Sequence, residues 1–284
     1  MKLRKSALPN GWYPRSTAEI TEFLSPIGIN KGEKADAAIA PHAGWYYSGK
    51  IAAKAVSSLN DQIDTLAVIG GHLPKGFPVL FAMEDAVETP FGEISIDTEL
   101  RNVLLKNTSG EEDRYIDNTV EILLPMVHYY LPDTKLLWLR LPAEIESYET
   151  GKTLAVIAKQ LGRKIGVLAS TDLTHYGANY GFMPMGAGKR ALQWVREVND
   201  RRFLEAIESG DPALVLERAN ADSSACSAGA VLGAMGFDDD GTARLLEYGT
   251  SADADPGEIP GSFVGYAAMA FKRGLDTPAY IHNF

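Results

Sequence analysis

Five histidines and a single cysteine occur among the 284 residues, and three of the histidines share one kind of placement. His42 lies two residues past the apolar run 37–40, and His72 lies two residues past the apolar run 65–70. His175, with Asp172 three residues before it, follows a run that ends near Ala169. Imidazole nitrogens are donors that zinc, iron and copper all accept, and a nearby carboxylate joins them as a ligand or as an acid or base. Cys226 sits in Ser-Ser-Ala-Cys-Ser-Ala-Gly-Ala, directly before an apolar stretch of helical character. A thiol at a helix N-terminus has its anion favoured by the helix dipole, and the thiolate is the form a metal binds. These spacings match no zinc-finger pattern, so a site built from them has to be assembled from distant segments. Spacing alone also leaves blander roles open: a hydrogen-bonding loop histidine, a small core cysteine, and Asp172 as a turn or cap residue. His128 and His282 fall outside the pattern and are assigned to structure.

Short apolar runs without polar alternation carry these residues, at 37–40, 65–70, 136–141 and 164–169. That pattern suits strands covered on both faces, as in parallel or mixed α/β sheets. Helices are expected over 49–59, 98–106, 148–161, 189–209 and 228–235. Segments 77–83 and 86–96 read as a hairpin-like excursion around Thr89-Pro90-Phe91-Gly92, where Pro and Gly punctuate the turn. Two further strands are expected at 243–248 and 262–271, separated by a loop over 249–261 rich in Asp, Pro and Gly. The expected fold is α/β, a central mixed and largely parallel sheet flanked by helices on both faces. In open sheets of this kind ligands bind beyond the carboxyl ends of strands, which is where the three histidines fall. No internal repeat or linker divides the chain, and one domain over residues 1–284 is the expectation.

Acidic residues outnumber basic ones 37 to 27, for a formal net charge of −10. That balance argues against a nucleic-acid partner and against adsorption to anionic lipid, both of which select basic surfaces. No apolar run approaches the roughly 18 residues of a membrane helix, and the basic N-terminal stretch lacks the apolar core of a signal peptide. One cysteine excludes an intrachain disulfide, in keeping with a reducing, cytoplasmic setting.

Around His42 the sequence reads Ala-Pro-His-Ala-Gly-Trp-Tyr-Tyr-Ser-Gly, which resembles the signature of the Memo family. The likeness continues in order through Gly-Gly-His at 70–72, Thr-Pro-Phe-Gly at 89–92, Ser-Thr-Asp-Leu-Thr-His-Tyr-Gly at 170–177 and the cysteine at 226. Many bacterial and archaeal members carry the label AmmeMemoRadiSam system protein B. The family is similar in fold to the class III extradiol dioxygenases, non-haem iron enzymes that open catechol rings. The resemblance implies one divalent metal ion on His42, His72 and Cys226, with iron(II) expected before copper or zinc. It implies His175 in the place of the dioxygenases' acid/base histidine, Asp172 beside it, and Glu121 as a further acid or base. Trp45, Tyr46, Tyr47 and Asn118 are expected to line the substrate pocket.

Three departures from the family pattern are visible. Asn118 stands where members commonly carry histidine, Ser227 follows the cysteine where glycine is usual, and the loop before His72 is a residue shorter. The dioxygenases also use a carboxylate as third ligand, whereas a thiolate is softer and more donating, so ring cleavage does not follow from the resemblance. Three functions suit the set. A metal-dependent redox enzyme acting on a small molecule ranks first. A binding module that takes a peptide in the same pocket ranks second, because animal Memo proteins are described as phosphotyrosine-recognising adaptors. A zinc hydrolase ranks third. The second function needs a basic patch near the pocket, for which Lys50, Lys54, Lys189 and Arg190 are the candidates.

Overall fold

The computed structural model describes residues 2–28, 34–254 and 257–273. Among these a nine-stranded mixed sheet forms the centre. Its middle is a run of four parallel neighbours, in the order Ala37–Ala40, Ile165–Ser170, Thr65–Leu73 and Lys135–Pro142. Parallel neighbours require long crossovers, and those crossovers lay helices on both faces of the sheet. The four strands are accordingly buried throughout, except at Lys135 and His72. On one flank Ser262–Arg273 pairs antiparallel with Ala37–Ala40 and also carries Gly241–Thr250 and His175–Gly177. On the other, Leu80–Phe81 pairs antiparallel with Lys135–Pro142 and parallel with Glu111–Glu112.

Side chains alternate across each strand, so one strand feeds two cores. Ala37, Ile39, Ala67, Ile69, Leu137 and Leu139 face a core shared with helices Thr98–Thr108, Glu146–Gln160, Asp200–Glu208 and Ala228–Phe237. Ala38, Ala40, Leu66, Val68, Leu136 and Trp138 face a second core shared with Thr17–Leu24 and Trp45–Ser58. Helix Ala228–Phe237 is buried at every residue, which its uniformly apolar sequence allows. Small residues let it sit close: a Cβ on Gly229 would stand 2.1 Å from the Pro142 carbonyl oxygen. That seating brings the start of the helix, with Cys226 just before it, over the carboxyl ends of the parallel strands.

Several expected boundaries move. The helix expected over 49–59 begins earlier, as Trp45–Ser58. The strand expected over 65–70 continues to Leu73, with a register shift between Gly70 and Leu73, so His72 lies in a bulged strand end and not in a loop beyond it. Segment 77–83 does not pair with 86–96. Instead Leu80–Phe81 enters the main sheet, and Ala86–Thr89 with Gly92–Ser95 makes the hairpin alone, turning at Pro90-Phe91 as the sequence indicates. The helix expected over 189–209 passes through a π turn at Val195–Asn199 between Lys189–Trp194 and Asp200–Glu208. Strand Gly241–Thr250 takes up the start of the loop expected over 249–261, and Ser251–Asp253 forms a 3-10 turn; residues 255–256 lie outside the described residues. Helices Thr17–Leu24 and Pro212–Ala221 are additions, each with a readable start: a capping box at Ser16 and Glu19, and Asp211 followed by Pro212. His282 lies outside the described residues.

Candidate metal centre

Three adjacent parallel strands deliver the site from their carboxyl ends. His42 follows Ala37–Ala40, Ser170 to Asp172 close the next strand, and His72 ends the one after that. Adjacency in the sheet turns a separation of 130 residues into a hydrogen bond: the His42 backbone N–H donates to Asp172 Oδ1 at 2.7 Å. Cys226 reaches the same place from the helix side, its own N–H donating to the Asp172 carbonyl at 3.3 Å.

His42 is 1% exposed. Its Nδ1 lies 2.9 Å from Ser170 Oγ, and its Nε2 lies 3.2 Å from Cys226 Sγ and 3.9 Å from Asp172 Oδ2. His72 meets it edge-on, with ring centres 4.8 Å apart at 83°. The Nδ1 of His72 stands 3.0 Å from Asp117 Oδ2, and its ring lies within reach of Cys226. One ligand atom from each of His42, His72 and Cys226 lies within 4.8 Å of the others, so this group could hold a metal ion. The donor set fits one: each imidazole has one nitrogen engaged by an oxygen, leaving the other for the metal, and the third donor is sulfur.

The charges favour the thiolate, while each imidazole would release a proton on taking up a metal. Burial pushes the Cys226 thiol up, but the His42 and His72 imidazoles outweigh it and hold the thiol well below its ordinary range. Burial pushes His42 down, yet Cys226 and Asp172 beside it raise its pKa overall. His72 is also opposed by burial and is nevertheless pushed up to about 10 by Asp117 and Cys226. Asp172, fully enclosed, moves up because burial penalises its charge even with His42 beside it. The sulfur is therefore held as thiolate, the form that ligates.

His72 has a positive φ of 57°, a left-handed conformation that costs a non-glycine residue on the order of 1 kcal/mol. Neighbours hold it there: Gly71 N–H donates to Thr119 Oγ1 at 3.2 Å, and Arg140 Nε donates to the Gly71 carbonyl at 2.9 Å. Gly71 itself is demanded by close approach, because a Cβ there would stand 2.3 Å from the Cβ of Ser227. Ser227, the departure from the usual glycine after the cysteine, thus fills the space over the strand end.

The other expected site residues divide. His175 is half-buried, with Nδ1 3.1 Å from the Leu173 carbonyl and its ring edge-on to Tyr180 at 4.9 Å. It lies within electrostatic range of Asp172. Tyr46 and Tyr47 are 69% and 51% exposed. Asn118 donates from its side-chain amide to the His42 carbonyl at 2.8 Å, tying the helical turn Asn118–Glu121 to the His42 loop. Trp45, expected in the pocket wall, belongs to the core: it is buried, its indole N–H donates to the Ile122 carbonyl, and its ring packs on Tyr13 and Phe23. Glu121, expected as an acid or base, is committed to the N-terminal segment. It accepts from the backbone N–H groups of Ala7 and Leu8 and from the hydroxyls of Ser6 and Tyr13. His128 is a structural residue, its Nδ1 2.7 Å from Thr89 Oγ1. Lys50, Lys189 and Arg190 are exposed, and Lys54, also exposed, is ion-paired with Glu247.

Sequence reasoning missed Ser170, Asp117 and Arg140. Ser170 stands at the last position of an apolar strand, where a hydroxyl is a usable signal. Asp117 lies 45 residues from His72, and only the bulged strand end brings the two together.

These features define a mixed α/β protein with a His–His–Cys cluster, able to hold a metal ion, at the carboxyl ends of its parallel strands. The family model described as "Memo-like protein" matches residues 4–270, and the chain belongs to the Memo family. Three proteins described as MEMO1 family proteins match it along their whole length. One from Pyrobaculum arsenaticum is 29% identical, covering 96% of this chain and 100% of its own. One from Methanococcoides burtonii is 30% identical, covering 95% and 100%, and one from Archaeoglobus fulgidus is 29% identical with the same coverage. Among solved structures, an uncharacterized protein from Escherichia coli K12 aligns over 82% of this chain and 98% of its own, at 13% identity and a TM-score of 0.42. Among the described residues no helix is long and apolar enough to cross a membrane.

Proposed function

We propose that this chain is a metal-dependent redox enzyme acting on a small molecule. The observation that carries the reading is the convergence of two oriented imidazoles and one thiolate, His42, His72 and Cys226, beside Asp172 and His175. Iron or copper held by such a set supplies redox capacity and coordination positions for a substrate. Three protein ligands suit that use, since a site closed by four would have no room for one.

The remaining work falls to the chain's own side chains. Asp172 anchors the His42 loop through the His42 N–H, and its buried carboxyl is held toward the protonated form. His175 has Nδ1 directed at the Leu173 carbonyl, which fixes that nitrogen as the donor and leaves Nε2 to take or give a proton. Tyr46, Tyr47 and Tyr180 add exposed aromatic surface on which an apolar or planar group can rest. A thiolate in place of the carboxylate is softer and more donating, so the redox chemistry does not extend to ring cleavage.

The test is elemental analysis of protein purified without air or chelator, followed by oxygen uptake with catechols and thiols. Near-stoichiometric iron or copper with oxygen uptake is the expected result. Protein that is metal-free and also fails to bind added iron, copper or zinc would leave the pocket as a recognition site. Stoichiometric zinc without oxygen consumption would turn the reading toward hydrolysis.

A further inference from the structure

Asp117 divides its carboxylate between two tasks. Its Oδ1 accepts from the Thr119 N–H at 2.9 Å and from the Thr119 hydroxyl, capping the short turn Asn118–Glu121. Its Oδ2 stands 3.0 Å from His72 Nδ1 and 3.1 Å from the guanidinium of Arg140. Arg140 has a side chain only 4% exposed and makes three connections: to Asp117, to Asp113 at 3.4 Å, and to the Gly71 carbonyl at 2.9 Å. One guanidinium therefore holds both the carboxylate that grips the His72 ring and the carbonyl that leads into the left-handed turn at His72. A histidine keeps a left-handed backbone only where its surroundings over-determine it. A helix cap alone would need Oδ1 only; the second oxygen is directed at the imidazole.

We propose that Asp117 and Arg140 are positioning residues that set His72 for the metal before it arrives. This rests on the metal reading above. By accepting from Nδ1–H, the carboxylate makes Nε2 the ring nitrogen that gives up its proton to the metal. Arg140 keeps the carboxylate charged and aimed through its forked guanidinium, and it pins the backbone beneath the ring.

The test compares wild type, Asp117→Asn and Arg140→Lys. Zn2+ affinity is measured by competition with a chromophoric chelator, the optical spectrum is recorded with Co2+, and the thermal midpoint is taken without metal. Asparagine at 117 keeps an oxygen for the Thr119 cap but turns an N–H toward His72 Nδ1. That drives the ring proton to Nε2, the wrong tautomer for ligation. The expected result is Zn2+ binding weaker by about 10- to 100-fold, an altered Co2+ spectrum, and a midpoint near that of wild type. Lysine at 140 keeps the charge but loses the fork, so an intermediate loss is expected. Wild-type affinity in both variants overturns the proposal while the metal reading stands. A loss of affinity matched by a large fall in the metal-free midpoint makes the pair structural and also overturns it. Wild type that binds no Zn2+ or Co2+ overturns the metal reading, and this proposal with it.

Discussion

Ser170 Oγ lies 2.9 Å from His42 Nδ1, and the two residues are brought together because Ala40 and Ser170 are register partners in neighbouring parallel strands. The fully buried hydroxyl fixes the imidazole by its Nδ1 edge and leaves Nε2 facing Cys226. A partner of this kind orients a ligating histidine and is commonly worth about 10- to 100-fold in metal affinity. Ser170→Ala is therefore expected to weaken Zn2+ binding by about tenfold while the fold persists, because only one buried atom is removed. Chelator competition on the purified variant checks this, and unchanged affinity would remove Ser170 from the site.

The ligands themselves give the stronger test. His42→Ala and Cys226→Ala each remove one of three donors, and two remaining donors hold a divalent ion poorly. Metal content is expected to fall from about one ion per chain to near zero in both variants, an all-or-none loss that rests on the three-ligand site. Far-UV circular dichroism should match wild type, since the strands that carry these residues are held by two large cores. Elemental analysis showing undiminished metal in both would sink the site.

How far the sequence alone reaches depends on the distance over which a signal acts. The strand 37–40 is legible to the residue, because an apolar run ending in Pro41 has few other interpretations. Cys226 is legible as a residue at a helix start, since Ala228–Phe237 is apolar all round. Trp45 is misread because three consecutive aromatics, Trp45-Tyr46-Tyr47, open a helix whose faces are separated by 100° per residue. The first turns into the core and the next two outward, and sequence does not say where that helix begins. Glu121 is misread because its partners, Ser6 to Leu8, come from a segment more than a hundred residues away. Asp117 is invisible for a related reason: its meeting with His72 requires a bulge, and bulges leave little mark on hydropathy.

His175 separates binding from turnover. It is not among the residues whose ligand atoms cluster within 4.8 Å, and its Nδ1 is directed at the Leu173 carbonyl. His175→Ala is expected to retain about one metal per chain while oxygen uptake falls by at least about 100-fold, the scale of a lost general acid or base. Activity assays beside elemental analysis distinguish the outcomes. Loss of metal would make His175 a ligand, and full activity would remove it from the chemistry.

Asp200 makes the prediction that depends on pH. It follows the π turn and is fully buried, and its carboxylate accepts from the Thr174 N–H at 3.1 Å, the Thr174 hydroxyl and the Tyr248 hydroxyl at 2.7 Å. Burial is the largest influence and pushes the carboxyl from 3.8 up to about 6, while these hydrogen bonds pull it partly back. The folded chain thus holds this proton more tightly than the unfolded chain. Its contribution to stability is complete below pH 3.8 and is lost as pH rises through about 6, a total on the order of 3 kcal/mol. Asp200→Asn is neutral at every pH and retains an oxygen for Thr174 and an amide for Tyr248. Urea denaturation of both proteins from pH 4 to 8 should show the variant gaining on wild type up to about pH 6, then a constant difference. A difference that does not change with pH would show that Asp200 is ionised in the fold at all these values, and that the three donors outweigh its burial.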